Sequence, residues 1–383
     1  MIAARARELN DWWRGLDRTL LFVVFALICV GLVLSLAASP AAAERIARAA
    51  GRDPSQANQF IFLYKQIFFA GASVLTLLLV SSLSPKGARR LAGLVLVGSF
   101  GLMLLTLVMG YEVNGAARWL RFGPFSIQPS EFLKPSLIVV AAWLFAESRR
   151  GAPIPGHLVA FGLYLFAVAL LIAQPDFGQT VLLTLCFGGV FFAAGLSWRW
   201  VAGLSAMAVA GAVAAYVFLP HVASRIERFI NPESGDTYQI DRAMEAIARG
   251  GIAGAGPGEG EVKRFLPDAH TDFIFAVAAE EFGLFASLAI IGLFAILVAR
   301  AWTNAMRLTD HFAQLAVAGL ALQFGLQAIV NIAVNLSLIP PKGMTLPFVS
   351  YGGSSMVALA LGAGFMLAFT RRRPGAYAMR FAR

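Results

Sequence analysis

The stretch from His270 to Ala299 reads HTDFIFAVAAEEFGLFASLAIIGLFAILVA, and from Phe273 onward it is long and apolar enough to cross a bilayer. A hydrocarbon core about 30 Å thick needs roughly 20 helical residues. Backbone groups in lipid must be bonded within their own segment, which makes helices the expected spanning element. Reading outward from this stretch gives ten spans, near 19–38, 61–81, 91–110, 132–147, 158–174, 178–195, 199–219, 273–299, 312–338 and 349–370. The fourth is short and borrows from its flanks. No alternating, turn-punctuated pattern suggests a β-barrel. Of the 383 residues, 58% are hydrophobic and only 14% charged, which leaves too little polar surface for a soluble chain. The expected fold is an all-α integral membrane protein, a bundle of ten transmembrane helices forming one polytopic domain over 1–383. Segment 1–18 is its cytoplasmic N-terminal part, 220–272 a large external loop between helices 7 and 8, and 371–383 a cytoplasmic tail.

The formal charge of +10 is topological. An even number of spans puts both termini on one side, with Arg5, Arg7, Arg14, Arg18, Lys86, Arg89, Arg90, Arg149, Arg150, Arg300, Arg307 and Arg371–Arg373. The opposite short loops carry fewer cations, so the positive-inside rule places both termini in the cytoplasm. No basic domain stands apart from the spans, which argues against nucleic-acid binding. The small residues Ala37–Ala43 resemble a signal-peptide cleavage site. The preceding apolar run exceeds the usual signal core, so the first helix is expected to stay attached. Cys29 and Cys186 lie in apolar spans and read as packing residues, and the four scattered histidines offer no zinc pattern.

Within the large external loop, Asp236-Thr237-Tyr238-Gln239 fits a helix cap, and Ile240, Met244 and Ile247 share one face of the helix that follows. Glu245 and Arg249 are spaced to pair, and Gly250-Gly251 ends the helix. The expectation is a short helix lying at the membrane interface. Four more glycines follow, Gly254, Gly256, Gly258 and Gly260, but the Gly-Lys-Ser/Thr of a nucleotide-binding loop is missing. This run reads as flexible backbone beside a substrate path, or equally as plain linker.

Asp272 stands at a membrane surface, immediately before a span. Asp is a favoured helix cap, and alone that reading would win. Glu280 and Glu281 follow roughly 12 Å deeper at 1.5 Å per residue. Carboxylates in a membrane are costly and normally face a polar interior or a cation, so a polar cavity below Asp272 is expected. Glu131 and Lys134, three apart in the fourth span, can pair on one face. Gln327, Asn331 and Asn335 recur every four residues and read as interhelical hydrogen-bond glue. External loops supply Arg118, Arg121, Lys263, Arg264 and Lys342, cations suited to phosphate oxygens or to lipid headgroups, with Trp119 a possible interface anchor.

Four motifs then resemble a known family: Asn114-Gly115…Arg118-Trp119; Gln128-Pro129-Ser130-Glu131; Leu266-Pro267…His270-Thr271-Asp272-Phe273-Ile274-Phe275…Glu280-Glu281-Phe282-Gly283; and Leu346-Pro347-Phe348-Val349-Ser350-Tyr351-Gly352-Gly353-Ser354-Ser355. They look like those of the SEDS (shape, elongation, division and sporulation) proteins, in family order and across all ten spans. Pro341-Lys342-Gly343-Met344-Thr345-Leu346-Pro347 looks like the loop of the cell-division branch, although Pro341 stands where that branch often has Thr. The elongation branch is the second choice.

The resemblance implies a peptidoglycan glycosyltransferase that polymerises lipid II into glycan strands during septal cell-wall synthesis, with Asp272 as the catalytic carboxylate. It implies a multi-pass protein of the bacterial inner membrane at the septum. Its partners would be lipid II, a cognate class B penicillin-binding protein acting as septal transpeptidase, other divisome proteins and membrane lipids. His270 and Ser350 enter with the motifs as candidate substrate contacts beside Arg118, Trp119, Arg121, Lys263, Arg264 and Lys342. The residue chemistry agrees: an inverting displacement on an activated lipid diphosphate needs a base, for which Asp272 is the candidate, and cations for the leaving group. A divalent cation, Mg or Mn, is a candidate cofactor, and no nucleotide is needed. A lipid II flippase or transporter and a non-catalytic divisome scaffold are the competing readings, though no inverted repeat is evident.

Overall fold

A computed structural model describes residues 10–56, 58–113, 116–123, 125–151, 153, 155–195, 198–218, 223, 227, 238–340 and 343–372. Arg5, Arg7, the Asn114-Gly115 pair, the Asp236-Thr237 cap, Pro341, Lys342 and Arg373 lie outside them. Eight described helices are long and apolar enough to cross a membrane. They are α1 (Arg18–Ala49), α2 (Ile61–Ser82), α3 (Pro85–Met109), α4 (Pro129–Arg149), α5 (Gly156–Ala173), α9 (Ile274–Arg307), α10 (His311–Asn335) and α11 (Gly353–Thr370). At the sixth and seventh expected spans stand α6 (Phe177–Ala193), a shorter apolar helix, and α7 (Trp198–Phe218), whose apolar part is Val209–Phe218.

Local chemistry sets the ends. Ser84 caps α3 by accepting the Gly87 N–H at 3.0 Å, with Pro85 in the first turn. The fourth span gains its missing length from Pro129, Ser130 and Glu131 before it and Ser148 and Arg149 after it. Asp17 caps α1 through the Leu20 N–H at 3.0 Å, and its other oxygen accepts from Arg300 (2.9 Å) and Asn304 (2.8 Å) of α9. α1 continues past Pro40 to Ala49, eleven residues beyond the expected span end at 38. α4 and α11 form the enclosed centre: α11 packs on α2 and α4, while α10 packs on α4, α6 and α9.

Two regions depart from an all-helical reading. Residues 111–127, expected as plain loop, contain a three-stranded antiparallel meander of β1 (Tyr111–Val113), β2 (Ala116–Phe122) and β3 (Phe125–Ile127), ordered β1-β2-β3. The other is the large loop. Its helix, α8 (Tyr238–Gly250), ends at the expected glycines, with Gly251 at φ 52°. Its buried face carries Ala243, Ala246 and Gly250 and packs on α9, whereas Met244 is exposed. Small side chains let the two helices approach closely, so α8 docks on protein instead of presenting an Ile/Met face to headgroups. Glu245 pairs with Arg242, and Arg249 with Glu261, both at 2.5 Å, in place of the expected Glu245–Arg249 pair.

The glycine run is neither linker nor flexible path. α9 breaks at Gly283 (φ 72°, ψ −164°), and the run fills the break. The N–H groups of Ala255 and Gly256 donate to the carbonyls of Glu280 (2.8 Å) and Glu281 (3.0 Å), and the Leu284 N–H donates to Gly251 O at 3.0 Å. Backbone groups freed inside a membrane helix must be satisfied by protein, and this loop does so. A Cβ on Gly283 would lie 2.4 Å from Ile252 O, and one on Gly254 (φ 85°) would lie 2.2 Å from Glu281 O. Gly283→Ala therefore combines a left-handed φ with a backbone clash and is expected to cost on the order of 2 kcal/mol or more. An unfolding temperature in detergent equal to wild type would contradict this role.

Candidate functional site

The segment carrying Asp272 begins with a tight turn, in which the N–H groups of Thr271 and Asp272 both donate to Asp268 O at 3.0 Å. Beyond it, three successive carbonyls are held by other elements. His270 O accepts from the Tyr351 N–H at 2.9 Å, and Thr271 O from Ser350 Oγ at 2.5 Å. Asp272 O accepts from Asn331 Nδ2 at 2.9 Å and Asn335 Nδ2 at 3.0 Å. Ser350 Oγ also accepts from the Leu346 N–H at 2.8 Å, and Asn331 Nδ2 also donates to Met344 O at 2.6 Å. The polar stripe of α10 thus clamps the backbones of two loops, and of the interhelical hydrogen bonding expected of it Asn335 supplies a bond to the first turn of α9. Gln327 extends it by donating to Thr345 O at 3.0 Å.

Asn335 decides what Asp272 does. Its Oδ1 accepts from the Ala276 N–H at 3.0 Å, satisfying an orphan donor in the first turn of α9, and Phe273 at the helix start makes no side-chain cap. The cap arrives from another helix, and Asp272 is not the capping residue. Its carboxylate receives no hydrogen bond among the described residues. It is half-buried; burial, with the neighbouring Asp268 carboxylate adding to it, pushes its pKa up to about 7. A Cβ on Gly343 would lie 3.7 Å from Asp272 Oδ2, so the loop that carries Lys342 runs alongside this carboxylate. Lys342 itself lies outside the described residues.

The other candidates divide. His270 packs against Phe62 (4.4 Å between ring centroids) and Tyr351 (5.5 Å). Burial, then Arg45 nearby, holds its imidazole down at about 4, so it is neutral at physiological pH and is no phosphate-binding cation. Arg45 reaches this region because α1 runs on past the expected span, and its Nη1 donates to Leu266 O at 2.9 Å. The Ser350 hydroxyl is fully engaged by loop backbone. Arg118 donates to Pro175 O (2.7 Å) and Gln174 O (3.2 Å) and pairs with Asp176 at 3.5 Å, which fixes the α5–α6 connection. Lys263 is buried and paired with Glu281. Glu280 accepts the N–H groups of Val262 (2.7 Å) and Lys263 (2.9 Å). The two acids thus anchor the chain leading to Asp272, and Glu281 also lines a groove beside α1 whose lining does not include Asp272. Arg121 lies over the Tyr111 ring at 4.9 Å with Trp119 paired across the strand from that tyrosine, and Arg121 and Arg264 are exposed.

Glu131 and Lys134 do pair, at 3.0 Å, and both are buried. Lys134 also donates to Gln179 Oε1 (2.7 Å), Gln179 Nε2 donates to Glu131 Oε1 (2.7 Å), and Ser355 Oγ donates to Glu131 Oε2 (3.1 Å). Ser355 in turn contacts Thr345 Oγ1 at 3.0 Å, next to the Met344 carbonyl that Asn331 holds. A continuous polar chain therefore links the buried pair to the backbone of Asp272. Sequence reasoning missed Gln179, Thr345, Asp268 and Arg45. Gln179, Thr345 and Arg45 work through partners on other elements, whereas Asp268 acts within its own turn on Thr271 and Asp272. Among the described residues no group of three His, Cys, Asp or Glu side chains is placed to hold a metal ion. Asp272 with Asp268 does not make a preformed site.

Comparison with known proteins agrees with this architecture. The family profile for cell cycle proteins of the FtsW, RodA and SpoVE type matches residues 18–374. The chain is 50% identical to the "probable peptidoglycan glycosyltransferase FtsW" of Caulobacter vibrioides, over 96% of this chain and 93% of that one. It is 36% identical to the protein of the same name from Aromatoleum aromaticum, over 93% and 88% respectively. Among solved structures it resembles a chain of a peptidoglycan synthase complex that coordinates polymerization and crosslinking, with a TM-score of 0.73, 30% identity, and coverage of 93% and 98%. It also resembles the rod shape determining protein RodA of Thermus thermophilus, with a TM-score of 0.67, 29% identity, and coverage of 94% and 99%.

Proposed function

Because this chain belongs to the FtsW/RodA/SpoVE family of cell cycle proteins, we propose that it is a peptidoglycan glycosyltransferase that polymerises lipid II, with Asp272 as its general base. The observation that carries the assignment of Asp272 is a carboxylate with no capping duty, on backbone held at three successive carbonyls, with a pKa near 7. A base matched to the working pH accepts a proton most effectively. In the reaction, the 4-hydroxyl oxygen of one lipid-linked sugar attacks the anomeric carbon of another. The bond from that carbon to the diphosphate oxygen breaks with inversion, the hydroxyl proton passes to Asp272, and undecaprenyl diphosphate leaves with the electron pair. Arg121 and Lys342 are the cations proposed to meet the diphosphate, and Arg118 and Lys263 act as positioning residues.

The protein is read as working in the cytoplasmic membrane at the division septum, with both termini inside. Its partners there would be a class B penicillin-binding protein and other divisome proteins. Relatives at 50% and 36% identity bear the name of the division protein, which favours that branch over elongation.

The test is the pH dependence of kcat/KM for lipid II polymerisation. Activity should rise as pH increases through about 7, as the carboxylate loses its proton, and level off above. A profile flat between about pH 6 and about pH 8 would remove Asp272 as the base. Asn335→Leu, which loses both the cap and the carbonyl clamp, should lower kcat at least about tenfold with a smaller change in KM. Asn335→Asp keeps an acceptor for the Ala276 N–H and should fall between. Equal kcat in all three would show that the clamp does not position the base.

A further inference from the structure

Along the outer half of α1 lies a groove of about 390 Å³ to which the glycosyltransferase reading gives no substrate role. One wall is an apolar stripe at helical spacing, Val33, Leu36, Ala37, Pro40 and Ala41, and Phe282 faces it from α9. The stripe ends in polar groups: Glu44, Lys263, Arg264 and Glu281. From Val33 to Glu44 it runs roughly 16 Å at 1.5 Å per residue. Val33 and Leu36 are half exposed, so the groove opens sideways from the bundle toward the surface that faces lipid. Asp272, Asn331, Asn335 and Ser350 are not among its lining residues.

The polar end is incomplete. Glu281 is 1% exposed, and one oxygen pairs with Lys263, yet among the described residues Oε2 has no hydrogen-bond partner. A buried carboxylate oxygen left unpaired is costly, and it calls for an N–H or O–H donor from something that enters the groove. Arg264 beside it is exposed and offers a bidentate fork suited to a phosphate. The lining carries two carboxylates and two cations, and Glu44 pairs besides with Arg48 at 3.7 Å. A lipid diphosphate would bring two or more negative charges next to Glu44 and Glu281, with Lys263 already paired.

We propose that this groove binds a zwitterionic aminophospholipid of the phosphatidylethanolamine type. Its primary ammonium would donate to Glu281 Oε2, its phosphate would meet Arg264, and an acyl chain would lie along the α1 stripe. A quaternary ammonium has no N–H to give, so phosphatidylcholine cannot satisfy Glu281. The lipid would seat α1 against the broken region of α9, whose neighbours Glu280 and Glu281 also hold the glycine run.

The full-length protein in nanodiscs of phosphatidylglycerol containing either phosphatidylethanolamine or phosphatidylcholine tests this, with retained lipid measured by native mass spectrometry. Wild type should retain phosphatidylethanolamine at about one per chain, roughly tenfold in preference to phosphatidylcholine. Arg264→Ala, at an exposed position, and Leu36→Trp, which fills the groove from its open side, should each abolish the retention. Glu281→Gln should remove the preference between the two lipids. Equal retention of both lipids by wild type would overturn the proposal, as would retention unchanged by Leu36→Trp. Displacement of phosphatidylethanolamine by equimolar undecaprenyl diphosphate would also overturn it, by showing that the groove belongs to the substrate.

Discussion

Asp272→Ala is expected to eliminate lipid II polymerisation, a fall of at least about 10²–10⁴ in kcat, the usual range for a lost general base. Folding should survive. The Asp272 carboxylate receives no hydrogen bond among the described residues, and the α9 cap comes from Asn335, so the substitution removes a charge without orphaning a donor. Burial holds the folded pKa near 7 against an ordinary 3.8, so the folded state binds this proton more tightly than the unfolded state. Its contribution to stability is therefore lost as pH rises from about 4 through about 7, and above that the wild-type carboxylate is a net cost. Asp272→Asn should accordingly be inactive yet unfold at or above the wild-type temperature at pH 8 and higher. A variant that melts well below wild type there would mean that Asp272 is structural. Substantial polymer from either variant would mean that another group takes the proton.

Lys134→Ala carries the largest expected effect on stability. It strands Glu131 at 3% exposure with only Gln179 and Ser355 as donors, and an uncompensated buried charge costs about 3–5 kcal/mol. Replacing both partners by apolar residues, Glu131→Leu with Lys134→Met, should recover much of that loss, because no charge is then left unpaired. Activity is the more informative readout. The pair reaches Asp272 through Ser355, Thr345, Met344 and Asn331, so the double variant should recover its unfolding temperature while polymerisation stays depressed. A single variant as stable as wild type would contradict the stability argument. Full activity in the double variant would reduce the pair to a structural support.

Much of this architecture is legible in the sequence, because lipid allows few alternatives for an apolar run of twenty residues. The spans, the helix ending at Gly250-Gly251 and the Glu131–Lys134 pairing all follow from local spacing. What escaped local reasoning depends on partners distant in the chain. Asp272 next to a helix reads as its cap until Asn335, 63 residues away, is seen to do that work. The glycine run reads as flexible until it meets the break at Gly283, where any side chain would strike backbone. Lys263 and Arg118 read as free cations, yet each is occupied by an acid or by carbonyls from another segment. The extension of α1 past Pro40 was hidden because a proline near small residues looks like an end. The meander at 111–127 was hidden because its strands are short and lack a long period-two pattern.

The central claim is that this chain itself joins lipid-linked disaccharides. The most direct measurement is glycan formation from purified lipid II in detergent micelles, where no bilayer exists and lipid transfer across one cannot contribute. The protein would be co-purified with its cognate class B penicillin-binding protein, with wild type set beside Asp272→Ala at equal partner occupancy. Glycan strands from wild type and none from the partner-bound variant are the expected result. Equal strand formation by both, or none by wild type in the active complex, would contradict the claim.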